Sequence, residues 1–198
     1  MLRKISDFFL GCIRQVDLVL LALCTGAALF GCLMIASATH YTGSYKNVIV
    51  QLAALCLGIV AYVLMSMLDL AEVSKRWKWL LGASLVLIFL LKTPLGMDGG
   101  TGNRAWLGVS GLPVNLQPVE IVKLIFIALL ARQLVYLQEN RDLKSIPSIA
   151  LLGGHLVLIV GAYAAVSGDM GSALVLMFIF ACMCFVAGVA KRWFVIGI

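Results

Sequence analysis

The chain has 198 residues, of which 63% are hydrophobic and 12% charged, and its formal net charge at pH 7 is +6. Its mean hydropathy is +1.08. About a quarter of the residues in a soluble domain are charged, because the surface that faces water must be hydrated. A composition this apolar therefore excludes a water-soluble globule and indicates an integral membrane protein.

Six apolar segments follow one another along the chain. They cover residues 16–37, 48–68, 77–91, 119–136, 148–166 and 170–190. A segment of about 20 apolar residues spans the hydrocarbon core as a helix, because a single segment in lipid must satisfy its own backbone hydrogen bonds. The first segment is too long for the apolar region of a signal peptide, and further spans follow it. The sequence predicts an all-α, polytopic transmembrane helical bundle of about six spans.

The distribution of basic residues sets the orientation of these spans. Eleven of the fifteen Lys and Arg residues fall at the termini and in the second and fourth connections, three fall in the other connections, and Lys123 lies within a span. Cytoplasmic segments carry the excess of Lys and Arg. Both the N and C termini are therefore expected in the cytoplasm. The net charge of +6 reflects this topology, and no nucleic-acid partner is predicted.

The chain is interpreted as a single transmembrane domain over residues 1–198, with one long external loop at 92–117. This loop is rich in Gly but also contains Trp106 and Leu107, so it is not a plain solvated linker. We expect it to fold back onto the outer membrane face or into a cavity. Functional residues concentrate on loops that a rigid scaffold holds in place.

Cysteine and histidine residues give no indication of a metal site. Five of the six cysteines lie in predicted spans, where small apolar packing residues are expected. His40 and His155 are isolated in the sequence, and neither has a nearby set of ligands. We therefore predict no metal ligands.

The stretch from Gln117 to Lys123 places charge at the start of a span. Pro118 suits the first helical position, and Glu120 lies in the first turn on the same face as Lys123. A lysine inside the membrane is costly unless it is paired or faces a wet cavity. The two residues either neutralise each other as a structural pair or line a polar cavity that opens outward.

Arg104 in the preceding loop favours the cavity interpretation. The guanidinium group binds phosphate in a fork geometry, so a cationic loop beside a wet cavity suits an anionic, lipid-linked substrate. Asp169 is a typical N-cap for the sixth span, a role that does not exclude a functional one. It is expected on the same external side as Arg104 and Glu120, so three charges from separate segments could converge there.

Two sequence motifs resemble a known family. The run G-N-R-A-W-L-G-V, then L-Q-P-V-E-I-V-K-L, is followed about fifty residues later by D-M-G-S-A-L. This combination is similar to the SEDS family, the group of RodA, FtsW and SpoVE, and the resemblance extends over essentially the whole chain. Family members usually have Ser where this chain has Val119.

The resemblance implies a peptidoglycan glycosyltransferase of the bacterial plasma membrane. Such a protein polymerises lipid II and works with a class B penicillin-binding protein in division, elongation or sporulation. No catalytic residue is assigned by it and no cofactor is implied, although a divalent cation is compatible with this chemistry. The substrate-binding candidates are Arg104, Trp106, Gln117, Glu120, Lys123 and Asp169.

Length is the largest departure from the family pattern. The resemblance implies about ten spans and an essential aspartate in an external loop of the second half, whereas this sequence reaches Ile198 just after the sixth segment. We therefore expect the N-terminal portion of such a protein, inactive alone. The alternatives are a flippase for lipid-linked precursors and a non-catalytic membrane scaffold that recruits partners for cell wall synthesis.

Overall fold

The computed structural model of the protein describes residues 16–40, 45–98, 100, 102–108 and 115–196. The basic residues Arg3, Lys4 and Arg14, and the last residue, Ile198, lie outside the described residues. The cytoplasmic position of both termini therefore stays a prediction from the charge distribution. The chain divides into two compact units, Met1–Asp69 and Leu70–Ile198, which are described separately.

The first unit contains two long apolar helices that pack against each other. Helix α1 covers Leu18–Thr39 and helix α2 covers Lys46–Ser66. Asp17 caps α1, because its Oδ1 accepts hydrogen bonds from the second and third backbone N–H groups of that helix, each over 3.0 Å. The Tyr62 hydroxyl of α2 donates to the carbonyl oxygen of Asp17 over 3.2 Å. Most large apolar side chains of both helices are exposed, as expected of surface that faces lipid.

The second unit contains the remaining helices. They are α3 Leu70–Lys75, α4 Trp77–Leu90, α5 Pro118–Asn140, α6 Ile146–Leu156, α7 Ala162–Ser167, α8 Met170–Val186 and α9 Lys191–Ile196. A π-helical turn, Val157–Gly161, joins α6 to α7, so that Ile146–Ser167 forms one apolar helix of 22 residues.

By length and composition, three of the described helices can cross a membrane: Leu18–Thr39, Lys46–Ser66 and Ile146–Ser167. The helices Trp77–Leu90 and Met170–Val186 are apolar but shorter. Every predicted apolar segment coincides with a helix, and the predicted class, a polytopic helical membrane protein, is confirmed.

Helix α5 forms the centre of the second unit. Its buried face includes Val122, Phe126, Leu130 and Leu137, and the helix packs against both α4 and α8. It runs beyond its predicted end at residue 136 into a polar stretch. There the side chain of Gln138 donates a hydrogen bond to the backbone carbonyl that follows α8, over 2.9 Å. A polar side chain that binds a neighbouring segment thus extends the helix past its apolar part.

The loop between α4 and α5 contains a small antiparallel sheet that the sequence analysis missed. Its strands, in spatial order, are β1 Gly96–Met97, β2 Trp106–Gly108 and β3 Asn115–Leu116. The side chain of Leu107 is buried and belongs to the same hydrophobic core as residues of α4 and α5. The described part of the loop therefore packs on the helical bundle.

Candidate functional site

Arg104 and Trp106 lie at the start of the central strand of the loop. Arg104 is exposed, and it makes no ion pair with any residue that the structure describes. Trp106 is half-buried in β2 and pairs with Met97 of β1. Ala105, which separates them, is buried. Arg104 is thus exposed two residues before a strand that pairs with both β1 and β3.

The first turn of α5 carries the predicted charge pair. Lys123 Nζ lies 2.8 Å from Glu120 Oε2, and the Lys123 side chain is 19% exposed while that of Glu120 is 57% exposed. Gln117 is the N-cap residue, although its side chain makes no capping hydrogen bond. One turn further, Leu124 is exposed. The pair therefore lies at the border between the core and the open face of α5, with Lys123 the deeper partner.

Asp169 accepts four hydrogen bonds at the turn between α7 and α8. Its Oδ1 accepts from the backbone N–H groups of Gly171 (3.0 Å) and Ser172 (3.3 Å), which caps α8. Its Oδ2 accepts from the hydroxyl of Ser172 (2.7 Å) and from that of Tyr163 (3.0 Å). These donors, the Ser172 hydroxyl foremost, lower the pKa of the Asp169 carboxyl below its usual value. The carboxylate is therefore a fixed anion at neutral pH.

The turn that carries Asp169 meets the loop that carries Arg104. Gly168 ends α7 in the left-handed conformation, with φ at 73°. A Cβ atom placed on Gly168 would lie 3.3 Å from Oδ1 of Asn103. Asn103 directly precedes Arg104 in the sequence. The structure thus brings together two of the motifs that were singled out from the sequence.

The Glu120–Lys123 pair lies at the same end of the bundle as Asp169. Helices α5 and α8 are in contact, and the approach of Gly168 to Asn103 places the start of α8 beside the loop that leads into α5. Glu120 and Asp169 both belong to the N-terminal ends of these helices. Among the described residues, no hydrogen bond or ion pair links the pair to Arg104 or to Asp169. That the pair lines a polar cavity stays a prediction.

Tyr163 is a residue of this site that the sequence reasoning missed. Its side chain is completely buried, and it reaches Asp169 only because the left-handed turn at Gly168 reverses the chain between them. No helical spacing relates these two positions. Ser172, by contrast, lies within the D-M-G-S motif, three residues after its capping aspartate.

A separate groove lies at the opposite end of α5. It has a volume of about 800 Å³ between the start of α4, the C-terminal half of α5 and the middle and end of α6, and its lining is mostly apolar. His155 Nδ1 and Gln133 Oε1 are 3.0 Å apart within it, and the His155 ring packs against Phe126 with ring centroids 5.0 Å apart. In the part of the chain that the structure describes, no cluster of three or more His, Cys, Asp or Glu side chains could hold a metal ion.

Comparison with known proteins identifies the family. The model of the FtsW, RodA and SpoVE family of cell cycle proteins matches residues 15–198. The chain belongs to this family. The peptidoglycan glycosyltransferase RodA of Treponema pallidum is 30% identical over 142 residues, which are 72% of this chain and 31% of that protein.

Two solved structures share the fold of this family member. The crystal structure of the rod shape determining protein RodA of Thermus thermophilus matches with a TM-score of 0.72 and 29% identity, over 89% of this chain and 56% of that one. A peptidoglycan synthase complex, described as coordinating polymerization and crosslinking, contains a chain that matches with a TM-score of 0.73 and 29% identity. This second match covers 89% of this chain and 49% of that one. The chain thus spans about half the length of these solved relatives, and less of the curated one.

Proposed function

We propose that this protein supplies the outer substrate site of a peptidoglycan glycosyltransferase that polymerises lipid II. The observation that carries this proposal is the contact between the Asn103–Arg104 loop and the Asp169 turn, in a chain whose family match covers residues 15–198. The relative from Treponema pallidum is named a peptidoglycan glycosyltransferase. The whole reaction belongs to a polypeptide of the relatives' length, of which this chain corresponds to about half.

Arg104 and Lys123 are the residues proposed to bind the pyrophosphate of the lipid-linked substrate. The guanidinium group of Arg104 is exposed and has no anionic partner among the described residues, so its donors are free for phosphate oxygens. The Lys123 ammonium group uses one carboxylate partner and retains further donors. Trp106 follows Arg104 by two residues in the loop, and Gln117 is the N-cap of the helix that carries Lys123. The chemistry of the site is therefore anion binding at the membrane surface.

The proposed partner is a class B penicillin-binding protein, and the proposed location is the bacterial plasma membrane. The matched synthase complex combines polymerization with crosslinking, and a penicillin-binding protein is the partner that the family resemblance implies for the crosslinking step. The exposed apolar helices fit a bilayer environment.

Polymerisation of lipid II in proteoliposomes tests this function. The chain is assayed with its cognate penicillin-binding protein, with and without a supplied C-terminal half, and glycan strands are resolved on gels. Arg104→Ala and Lys123→Ala should each lower the polymer yield about tenfold or more, since each removes a charged hydrogen bond to phosphate. Wild-type yields from both variants would contradict the proposed roles, and translocation of labelled lipid without polymer would identify a flippase instead.

A further inference from the structure

We propose that Tyr163 is a positioning residue for Arg104, acting through Asp169 and the Gly168 turn. This inference rests on the proposed function, because it assumes that Arg104 binds the anionic lipid. It assigns a role to a buried side chain that no motif of the sequence identified. The contacts that carry it run from the core outward to the loop.

The hydroxyl of Tyr163 is buried and bound to Asp169. The side chain is fully buried in α7, and its hydroxyl donates to Oδ2 of Asp169 over 3.0 Å. A buried hydroxyl needs a partner, because leaving it without one costs the desolvation of the group. Tyr163 and Asp169 are therefore held to each other, and the carboxylate is held at a fixed depth in the bundle.

Asp169 also links helices α7 and α8. The same oxygen of Asp169 accepts a hydrogen bond from the hydroxyl of Ser172 in α8 over 2.7 Å. One carboxylate oxygen thus joins a donor from the helix before the turn to a donor from the helix after it. Hydrogen bonds to a charged acceptor are stronger than those between neutral groups, so the turn between α7 and α8 is fixed.

The turn between α7 and α8 approaches the loop between α4 and α5. Gly168 lies between the two helices that Asp169 joins, and its Cα side approaches Oδ1 of Asn103, at 3.3 Å from a Cβ position. The backbone carbonyl of Asn103 also accepts a hydrogen bond from the N–H of Ala105 over 2.9 Å, which closes a tight turn around Arg104. A shift of the Gly168 turn would therefore press on the side chain of Asn103, the residue directly before Arg104.

The role of Asp169 that follows is structural support and not proton transfer. Each carboxylate oxygen of Asp169 accepts two hydrogen bonds. A general base must accept a proton near the working pH, and a carboxylate so strongly solvated by donors is a weak base. Its contribution to the site is to keep the turn in place.

Binding of undecaprenyl pyrophosphate to the protein in nanodiscs tests this inference, with wild type, Tyr163→Phe and Arg104→Ala as the first set. Tyr163→Phe should weaken binding about three- to tenfold, the effect of one hydrogen bond. The double variant should bind no more weakly than Arg104→Ala alone, because both changes act through the same guanidinium group. Tyr62→Phe is the matched control: it removes a tyrosine hydroxyl that donates to Asp17 in the first unit, and it should bind as wild type.

Ser172 provides a second test that does not depend on how Tyr163→Phe folds. Ser172→Ala removes the other hydroxyl donor and should weaken binding. Ser172→Thr keeps a hydroxyl and should bind as wild type. If Arg104→Ala binds as wild type, the proposed function fails. If Arg104→Ala binds weakly while Tyr163→Phe and Ser172→Ala bind as wild type, or if their effects add to that of Arg104→Ala, the positioning role alone is overturned.

Discussion

Oδ1 of Asn103 lies 3.3 Å from the position that a Cβ atom on Gly168 would occupy. This approach joins the loop between α4 and α5 to the turn between α7 and α8, two segments far apart in the sequence. Glycine suits position 168 for two reasons. It has no side chain to press on Asn103, and it readily adopts the positive φ of 73° that this residue has. A side chain there would strain the turn and press on the loop.

Replacing Gly168 with Ala should separate these two effects. The left-handed conformation costs a residue with a Cβ atom about 1–2 kcal/mol. Gly188 is the matched control, with a φ of 87° and nothing within 4 Å of its Cβ position. We expect Gly168→Ala and Gly188→Ala to lower the free energy of unfolding in detergent by similar amounts, while only Gly168→Ala weakens binding of undecaprenyl pyrophosphate.

Asp169 should contribute more to stability than an ordinary N-cap. Asp169→Ala removes the cap and leaves the buried Tyr163 hydroxyl without its acceptor, so we expect a loss of about 3 kcal/mol. Asp17→Ala removes a cap that has only backbone donors among the described residues, and it should cost about 1 kcal/mol. Denaturation in detergent, followed by tryptophan fluorescence, measures both. Equal losses would show that the hydroxyl donors add nothing.

The stabilisation by Asp169 should depend on pH in a defined direction. Hydrogen bonds in the folded state, chiefly from Ser172, lower the pKa of its carboxyl, so folding is favoured wherever the unfolded state would be ionised. This contribution is complete above the unfolded pKa, about 4, and is lost as the pH falls through the lower, folded pKa. The stability difference between wild type and Asp169→Asn should therefore be constant from pH 8 to pH 5 and shrink below about pH 4. A constant difference down to pH 2 would contradict this assignment.

The Glu120–Lys123 pair should be more sensitive to loss of its acid than an exposed pair of the same spacing. Glu120→Gln leaves the Lys123 ammonium group, 19% exposed, without its counter-charge and should cost about 1–2 kcal/mol. Glu72→Gln is the control, since Lys75 and Glu72 are 63% and 68% exposed, and such pairs contribute about 0–1 kcal/mol. Adding Lys123→Met to Glu120→Gln should restore stability while weakening lipid binding about tenfold. If the double variant is no more stable than Glu120→Gln alone, the loss in the single variant does not come from an unpaired Lys123 ammonium group.

Gln133 and His155 form a polar pair in the apolar groove, and we expect this pair to contribute to the stability of the protein. Gln133→Leu removes the partner of His155 Nδ1 and should destabilise the protein by about 1–3 kcal/mol. The double variant with His155→Phe should recover most of this loss, because no polar atom is then left without a partner. A thermal unfolding scan of the two variants checks the result. An additive loss in the double variant would show that the ring is held by packing on Phe126 instead.

The sequence was sufficient to predict the helices and the charge pair because both depend on local rules. Each apolar segment became a helix, since the bilayer leaves the backbone no other hydrogen-bonding partners. Glu120 and Lys123 met because a three-residue spacing places them on one helical face. Asp169 capped its helix for the same kind of local reason.

The features that escaped prediction depend on contacts between distant segments. The strands Gly96–Met97 and Asn115–Leu116 have only two residues each, too few to show the alternating pattern of a strand. The Tyr163–Asp169 hydrogen bond requires the left-handed turn at Gly168, and the Asn103 contact requires the loop to fold back. Such contacts are set by the tertiary structure and have no fixed spacing in the sequence.

The loop beside the Asp169 turn is proposed to bind an anionic lipid through Arg104. The most direct measurement is the affinity of the protein in nanodiscs for undecaprenyl pyrophosphate, compared between wild type, Arg104→Ala and Arg141→Ala. Arg141 is also an exposed arginine, and it follows the last residue of α5. We expect Arg104→Ala to weaken binding about tenfold or more and Arg141→Ala to bind as wild type. Equal affinities for all three proteins, or equal losses in both variants, would contradict it.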